Sequence, residues 1–220
     1  MMIDADAATL AGQAAYTPRS LWVYDALVLG LSNRFIWHCP TPRLLKHYDR
    51  YVSNNHLDVG VATGFFLDRC RFPSGRPRLA LLDLNKTCLA TASRRIARYQ
   101  PRCIHANVLA PLNFDGPPFD SIGLCYLLHC LPGDMAAKAV VFDHLRAWLE
   151  PGGTLFGATI LGKGIAHNAV GRALMALYNQ KGIFGNRDDD LSGLEAALRA
   201  RFAGVEIEMI GRVAVFAARA

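Results

Sequence analysis

Between residues 56 and 160, short apolar runs alternate with segments of helical periodicity, and this alternation limits the fold more than any other feature. Residues 56–60, 79–84, 103–107, 119–125 and 154–160 read as strands with apolar residues on both faces. Such strands need cover on both sides, and a parallel connection needs a crossover, which a helix supplies. The helical segments are residues 65–70, a helix capped by Asn85 with Cys88, Leu89, Ala92 and Ile96 inward, and residues 135–149. The expected architecture is therefore α/β, a doubly wound, mostly parallel sheet. Pro151-Gly152-Gly153 reads as a stop-and-turn before the fifth strand.

The flanks read differently. Residues 1–52 are helical and aromatic-rich. Ser20 is placed to cap a helix carrying Tyr24, Leu27, Val28 and Leu31 on one stripe. Thr41 is the expected N-cap of the next, with Pro42 at its first position and Leu44, Leu45, Tyr48 and Val52 inward. Beyond residue 160, helices are expected near 168–181 and 191–202, the second capped by Asp190 or Ser192. Strands at 205–210 and 212–217 then form a hairpin around Gly211. At 220 residues the chain fits one structural unit. It divides into a helical cap, 1–52, and an α/β body, 53–220.

Composition excludes several classes. With 52% hydrophobic and 19% charged residues the chain is neither disordered nor collagen-like. The net charge of +6 raises the question of nucleic acid. Its main cluster is Arg69, Arg71, Arg76, Arg78, Arg94, Arg95, Arg98 and Arg102. It is interleaved only by Phe72 and Tyr99, so base stacking is poorly supported and a solvated face is expected. The six cysteines form no C-x-x-C pair and read as small buried hydrophobes in a reducing compartment. The acidic start lacks a signal-peptide n-region, and no uninterrupted apolar run reaches membrane-spanning length. A cytoplasmic protein without a membrane span is expected.

The segment that carries chemistry is Asp58-Val59-Gly60-Val61-Ala62-Thr63-Gly64, between a strand and a helix. Glycines allow a tight turn and close approach of a ligand, and the helix start offers unpaired N–H groups. A dinucleotide fingerprint needs glycine where Ala62 and Phe65 stand, so that reading fails. Gly157–Lys163 has phosphate-loop spacing but is followed by Gly164, not a hydroxyl residue, and fails too. The spacing fits D-x-G-x-G-x-G, with Ala62 at the middle glycine. Asp83 closes the second strand 19 residues after Gly64, and Asn107-Val108 follows the third. Leu127-Leu128-His129-Cys130-Leu131 follows the fourth, and Leu149-Glu150-Pro151-Gly152-Gly153 precedes the fifth. Over roughly residues 45 to 218 the chain resembles the class I S-adenosylmethionine-dependent methyltransferases.

That resemblance implies a seven-stranded Rossmann-like sheet of order 3-2-1-4-5-7-6 under an N-terminal helical lid. It also implies S-adenosylmethionine as cofactor and S-adenosylhomocysteine as product, with no metal. Gly60, Ala62 and Gly64 would contact the methionine part, with Asp58 ordering the loop. Asp83 would accept from both ribose hydroxyls, and Leu84 would pack on adenine. Asn107, where aspartate is usual, would accept from the adenine amino group. Val108 would offer its N–H, and Leu124 completes this set. His129 and Tyr24 are the candidates for catalytic roles, His129 as a base. Trp37, His38 and Tyr126 are the candidates for the acceptor mouth. The Asn/Asp-Pro-Pro-Tyr/Phe motif of amino-methylating nucleic-acid enzymes is missing after the fourth strand. Leu124, Cys125, Thr159 and Ile160 cannot ligate magnesium as catechol-type enzymes require. The expected reaction is methyl transfer to a small apolar or aromatic metabolite, by a monomer or homodimer that does not act on nucleic acid. An RNA or protein methyltransferase, or a non-catalytic cofactor-binding protein, are the alternatives.

Overall fold

The computed structural model describes residues 25–113 and 115–220. Ser20 and Tyr24 lie outside the described residues. Seven strands form one sheet: β1 (Asn55–Val59), β2 (Arg78–Asp83), β3 (Arg102–His105), β4 (Phe119–Cys125), β5 (Leu149–Ile160), β6 (Gly204–Ile210) and β7 (Val213–Arg219). Their order is β3-β2-β1-β4-β5-β7-β6. The first five run parallel, and β7 is antiparallel to both β5 and β6. This is the expected topology.

Alternation along the strands divides the core in two. Leu57, Val59, Leu82, Ile122, Leu124, Leu155 and Phe216 point to one face. There they meet α5 (Met135–Lys138), α6 (Val140–Arg146) and α8 (Leu191–Arg199). Leu79, Leu81, Cys125, Phe156, Ala158 and Val215 point to the other. That face is covered by a wide π-type helix α1 (Asp25–Ile36), α2 (Thr41–Tyr51), α3 (Phe65–Arg69) and α4 (Lys86–Arg95). The remaining helix, α7 (Ala169–Gln180), lies in the β5–β6 connection.

Several local expectations are corrected. Thr41 is the first residue of α2 and Pro40 takes the N-cap position. The Thr41 hydroxyl is turned back to the Leu29 carbonyl instead of capping. The helix expected over 135–149 is two short helices, α5 and α6, meeting at Ala139 and ending at Arg146, and Leu149 already belongs to β5. Pro151-Gly152-Gly153 does not stop a chain before β5. It bulges within β5, because Phe119 pairs with Leu149 while Ser121 already pairs with Thr154. Asp190, not Ser192, caps α8 through the Gly193 N–H. Cys103 is exposed, unlike the buried Cys39, Cys70, Cys88 and Cys125. Among the described residues no helix is long and apolar enough to cross a membrane.

Candidate active site

The cleft opens at the carboxyl ends of β1, β2 and β4, where an α/β sheet presents ligand sites. Its non-atom space is about 1020 Å³, open mouth included. Gly60 follows β1 with φ +72°, and its N–H continues the ladder to the Leu82 carbonyl at 2.9 Å. A Cβ there would come within 2.9 Å of Leu127 Cδ1, so glycine keeps the loop and the β4 exit in contact. Ala62 adopts φ +44°, a region where glycine carries no penalty. Gly64 starts α3 with φ +72°.

Two carboxylates stand beside this loop. Asp58 is buried and its Oδ1 accepts from the Tyr48 hydroxyl at 2.8 Å. Burial and the neighbouring Asp58 raise the Tyr48 phenol well above its usual value, so it stays protonated and donates. A side chain at Gly123 would crowd Asp58 Oδ1 to 2.9 Å. Asp83, at the end of β2, accepts main-chain N–H groups of Asn85, Ala62 and Val61. Burial nevertheless pushes its carboxyl up to about 6. Three donors do not fill a carboxylate's lone pairs, so it retains acceptor capacity toward the cleft.

Asp58, Gly60, Ala62, Asp83, Leu84, Asn107, Val108 and Tyr126 all line the cleft, and Gly64 closes the loop behind it. The Asn107 side-chain oxygen accepts the Leu109 N–H at 3.0 Å, an Asx turn that fixes its amide. Leu124 does not line the cleft. It points to the opposite face of β4, fully buried, and its neighbour Cys125 takes the lining position. Tyr126 lines the cleft with φ +63°, and its hydroxyl donates to Asn33 Oδ1 at 2.8 Å.

Three other candidates are not brought to the cleft lining. His129 is buried against Tyr126 and Phe184, and its Nδ1 accepts from the Ile160 N–H at 3.4 Å. Desolvation holds its imidazole down at about 3, so it is a neutral core histidine and not a base poised near pH 7. Trp37 is buried between His167 and Phe184. His38 is exposed just after α1, with φ +54°. Residues absent from the sequence-based set also line the cleft: Leu29, Tyr48, Thr63, Phe65, Phe66 and Leu131. Tyr48 is visible in the sequence only as part of the α2 apolar stripe. The Tyr48 ring stacks on Phe66 at 4.8 Å.

Comparison with known proteins agrees with this geometry. A family model described as a methyltransferase domain matches residues 57–155. The demethylluteothin O-methyltransferase of Streptomyces thioluteus is 37% identical over 97% of this chain and 93% of its own. A physcion biosynthesis cluster O-methyltransferase of Aspergillus chevalieri is 40% identical over 94% of both chains. Among solved structures, DhpI in complex with SAH superposes with TM-score 0.69 at 13% identity, covering 98% of this chain and 96% of that one. The chain is a methyltransferase, and it belongs to the class I S-adenosylmethionine-dependent family.

Proposed function

We propose that the chain transfers the methyl group of S-adenosylmethionine to a small apolar or aromatic acceptor held at the β4 side of the cleft. The observation that carries this reading is Asp83. It is a half-buried carboxyl at the end of β2, beside the glycine loop, with acceptor capacity left over. The residues present fit the cofactor. Gly60 and Ala62 would lie along its methionine part, with Gly64 closing the loop behind them and Asp58, tied to Tyr48, holding it. Asp83 would accept from the ribose diol, Leu84 and Val108 would flank the adenine, and Asn107 would meet its edge. The bound sulfonium supplies the methyl group for an in-line displacement, to which the protein contributes alignment and exclusion of water.

Leu29, Phe65, Phe66, Tyr126 and Leu131 give the cleft an apolar wall, which suits an aromatic or aliphatic acceptor. The similarity to O-methyltransferases of natural-product pathways supports the same acceptor class. Within the proposed cap of residues 1–52, α1 supplies Leu29 and α2 supplies Tyr48. A role for Tyr24 remains part of this proposal. Trp37 contributes by packing behind the wall, and the reading gives His129 and His38 no chemical role. Two measurements test the reading. Calorimetry with S-adenosylhomocysteine is expected to show one site per chain. Incubating host metabolite extract with labelled cofactor is expected to give a product heavier by one methylene. A chain that binds no S-adenosylhomocysteine, or labels no small molecule, would overturn it.

A further inference from the structure

Helix α1 lies against the cleft, which its Leu29 lines, and it is held differently at its two ends. Its buried residues are Leu29, which lines the cleft, and Asn33, which is fully buried. Asn33 accepts from the Tyr126 hydroxyl and donates to Thr41 Oγ1 at 2.9 Å. Just beyond, the Arg212 N–H donates to the Trp37 carbonyl at 2.9 Å, and the Arg212 guanidinium reaches the Ile36 carbonyl at 3.2 Å. This end is nailed to the β6–β7 hairpin, and separating it would strand buried polar groups at high cost.

Among the described residues, one side chain ties the other end. Asp25 Oδ1 accepts from the Thr63 hydroxyl at 2.7 Å, and Oδ2 pairs with Arg95 at 2.6 Å. Arg95 also donates to the Thr63 carbonyl at 3.3 Å and pairs with Asp68, which in turn holds Arg98. Thr63 lies in the glycine loop and lines the cleft. One carboxylate thus joins the lid, the loop and α4. Asp25 and Arg95 each keep about a quarter of their side-chain surface in solvent, at 26%. Water can replace these bonds one by one, unlike those at Asn33.

We propose that Asp25, with Arg95 and Thr63, is the latch that sets the rate of cofactor exchange. α1 swings from its fixed end at Trp37, carrying Leu29 off the cleft. The inference rests on reading this cleft as the cofactor's. A latch whose bonds are the same with the cleft filled and empty speeds entry and exit together when loosened and leaves affinity nearly constant, and this is the behaviour assigned to Asp25. Arg95 is thereby a positioning residue, taken from an arginine cluster that reads in the sequence as a solvated face remote from the site.

The test uses the full chain and labelled S-adenosylhomocysteine, with dissociation followed by a chase of unlabelled ligand and affinity by calorimetry. Asp25→Ala and Arg95→Met are each expected to speed dissociation by about tenfold, the effect of one partly buried charge-assisted pair. The dissociation constant is expected to move less than about threefold. Raising salt from about 0.05 M to about 0.5 M should accelerate exchange in the unsubstituted chain and not in Asp25→Ala, which also serves if Arg95→Met fails to fold. Unchanged rates with tight binding would overturn the latch alone. Affinity lost through dissociation, with entry unchanged, would overturn it too, by showing that Asp25 props the loop instead of gating it. No binding by the unsubstituted chain would overturn the cleft assignment and the latch together.

Discussion

On one side of the cleft, the lining from Asp58 to Val108 comes from the turns and short helices that follow three adjacent strands, with the polar groups of Asp58, Thr63, Asp83, Asn85 and Asn107 set among apolar side chains. On the other, Tyr126, Leu127, Cys130 and Leu131 are backed by segments far apart in the chain. Tyr126 is braced by Asn33 across 93 residues, and Leu131 lies against Gly185, where a Cβ would collide with the Leu131 carbonyl. The segment around Gly185 is held by Lys138, whose ammonium pairs with Asp189 at 2.6 Å and donates to the Gly185 carbonyl at 2.9 Å. Both side chains of that pair are fully buried. The proposed donor side is thus built from local strand-end turns, whereas the proposed acceptor side is a long-range assembly held by buried polar contacts. Loss of a single contact outside the carboxylates is expected to be mild in the first and costly in the second.

The largest effect should come from breaking the acceptor-side clamp. Lys138→Met leaves Asp189 buried and unpaired, and is expected to cost about 3–5 kcal/mol of unfolding free energy by denaturant titration. Lys138→Met combined with Asp189→Leu should recover most of that loss. If the single variant unfolds at the same denaturant concentration as the unsubstituted chain, the clamp does not hold this wall.

Next in size is the donor side. Asp83→Ala should weaken S-adenosylhomocysteine binding by about 2–3 kcal/mol, roughly 30- to 150-fold, by calorimetry. Its raised value near 6 also fixes a pH dependence. Hydroxyl donors favour the ionised carboxylate, so binding releases its proton below about pH 6. Affinity should therefore rise between about pH 5 and 7 and level off above, a slope that Asp83→Asn removes. For folding alone the sign is reversed. The Asp83 contribution is fully present below its ordinary value of 3.8 and is lost as pH rises through about 6. Binding and folding thus place opposite demands on one carboxyl.

The smallest effect sharpens the contrast from within the loop. Ala62→Gly relieves a left-handed residue and should stabilise the fold by roughly 0.5–1 kcal/mol in thermal melts. A loss of stability instead would show that the Ala62 methyl packs usefully.

The same contrast explains what the sequence disclosed. That Asp58, Gly60, Ala62 and Asp83 meet at one cleft is legible because each is placed by backbone turns within a few residues of its own strand, with Gly64 closing the loop. The sheet order is what the family resemblance implies, and that resemblance rests on the same local units. Leu124 is misplaced because strand periodicity puts neighbours on opposite faces, and Cys125 holds the cleft side. His129 sits in a promising segment, but Ile160 and Phe184, brought from β5 and the loop beyond α7, enclose it. Trp37 and His38 depend on how the chain leaves α1, which no local pattern specifies. Arg95 belongs in the sequence to a run of arginines, and only the fold selects it to meet Asp25. The buried Lys138–Asp189 pair spans 51 residues and has no sequence signature.

The Lys138–Asp189 clamp has a consequence for how such a protein changes over generations. The chain leaves the sheet after Ile160 and returns at Gly204, and in between it packs behind the cleft, joined to the helices and loop after β4 by this buried ion pair and by the Gly185 N–H on the His129 carbonyl. On the proposed reading, substitutions in this excursion reach the acceptor wall from behind, through Leu131, while the strand register and the glycine loop stay fixed. Acceptor preference would then drift without loss of the fold as long as the two ends of the clamp are kept, and redesign of this backing layer should begin by retaining them.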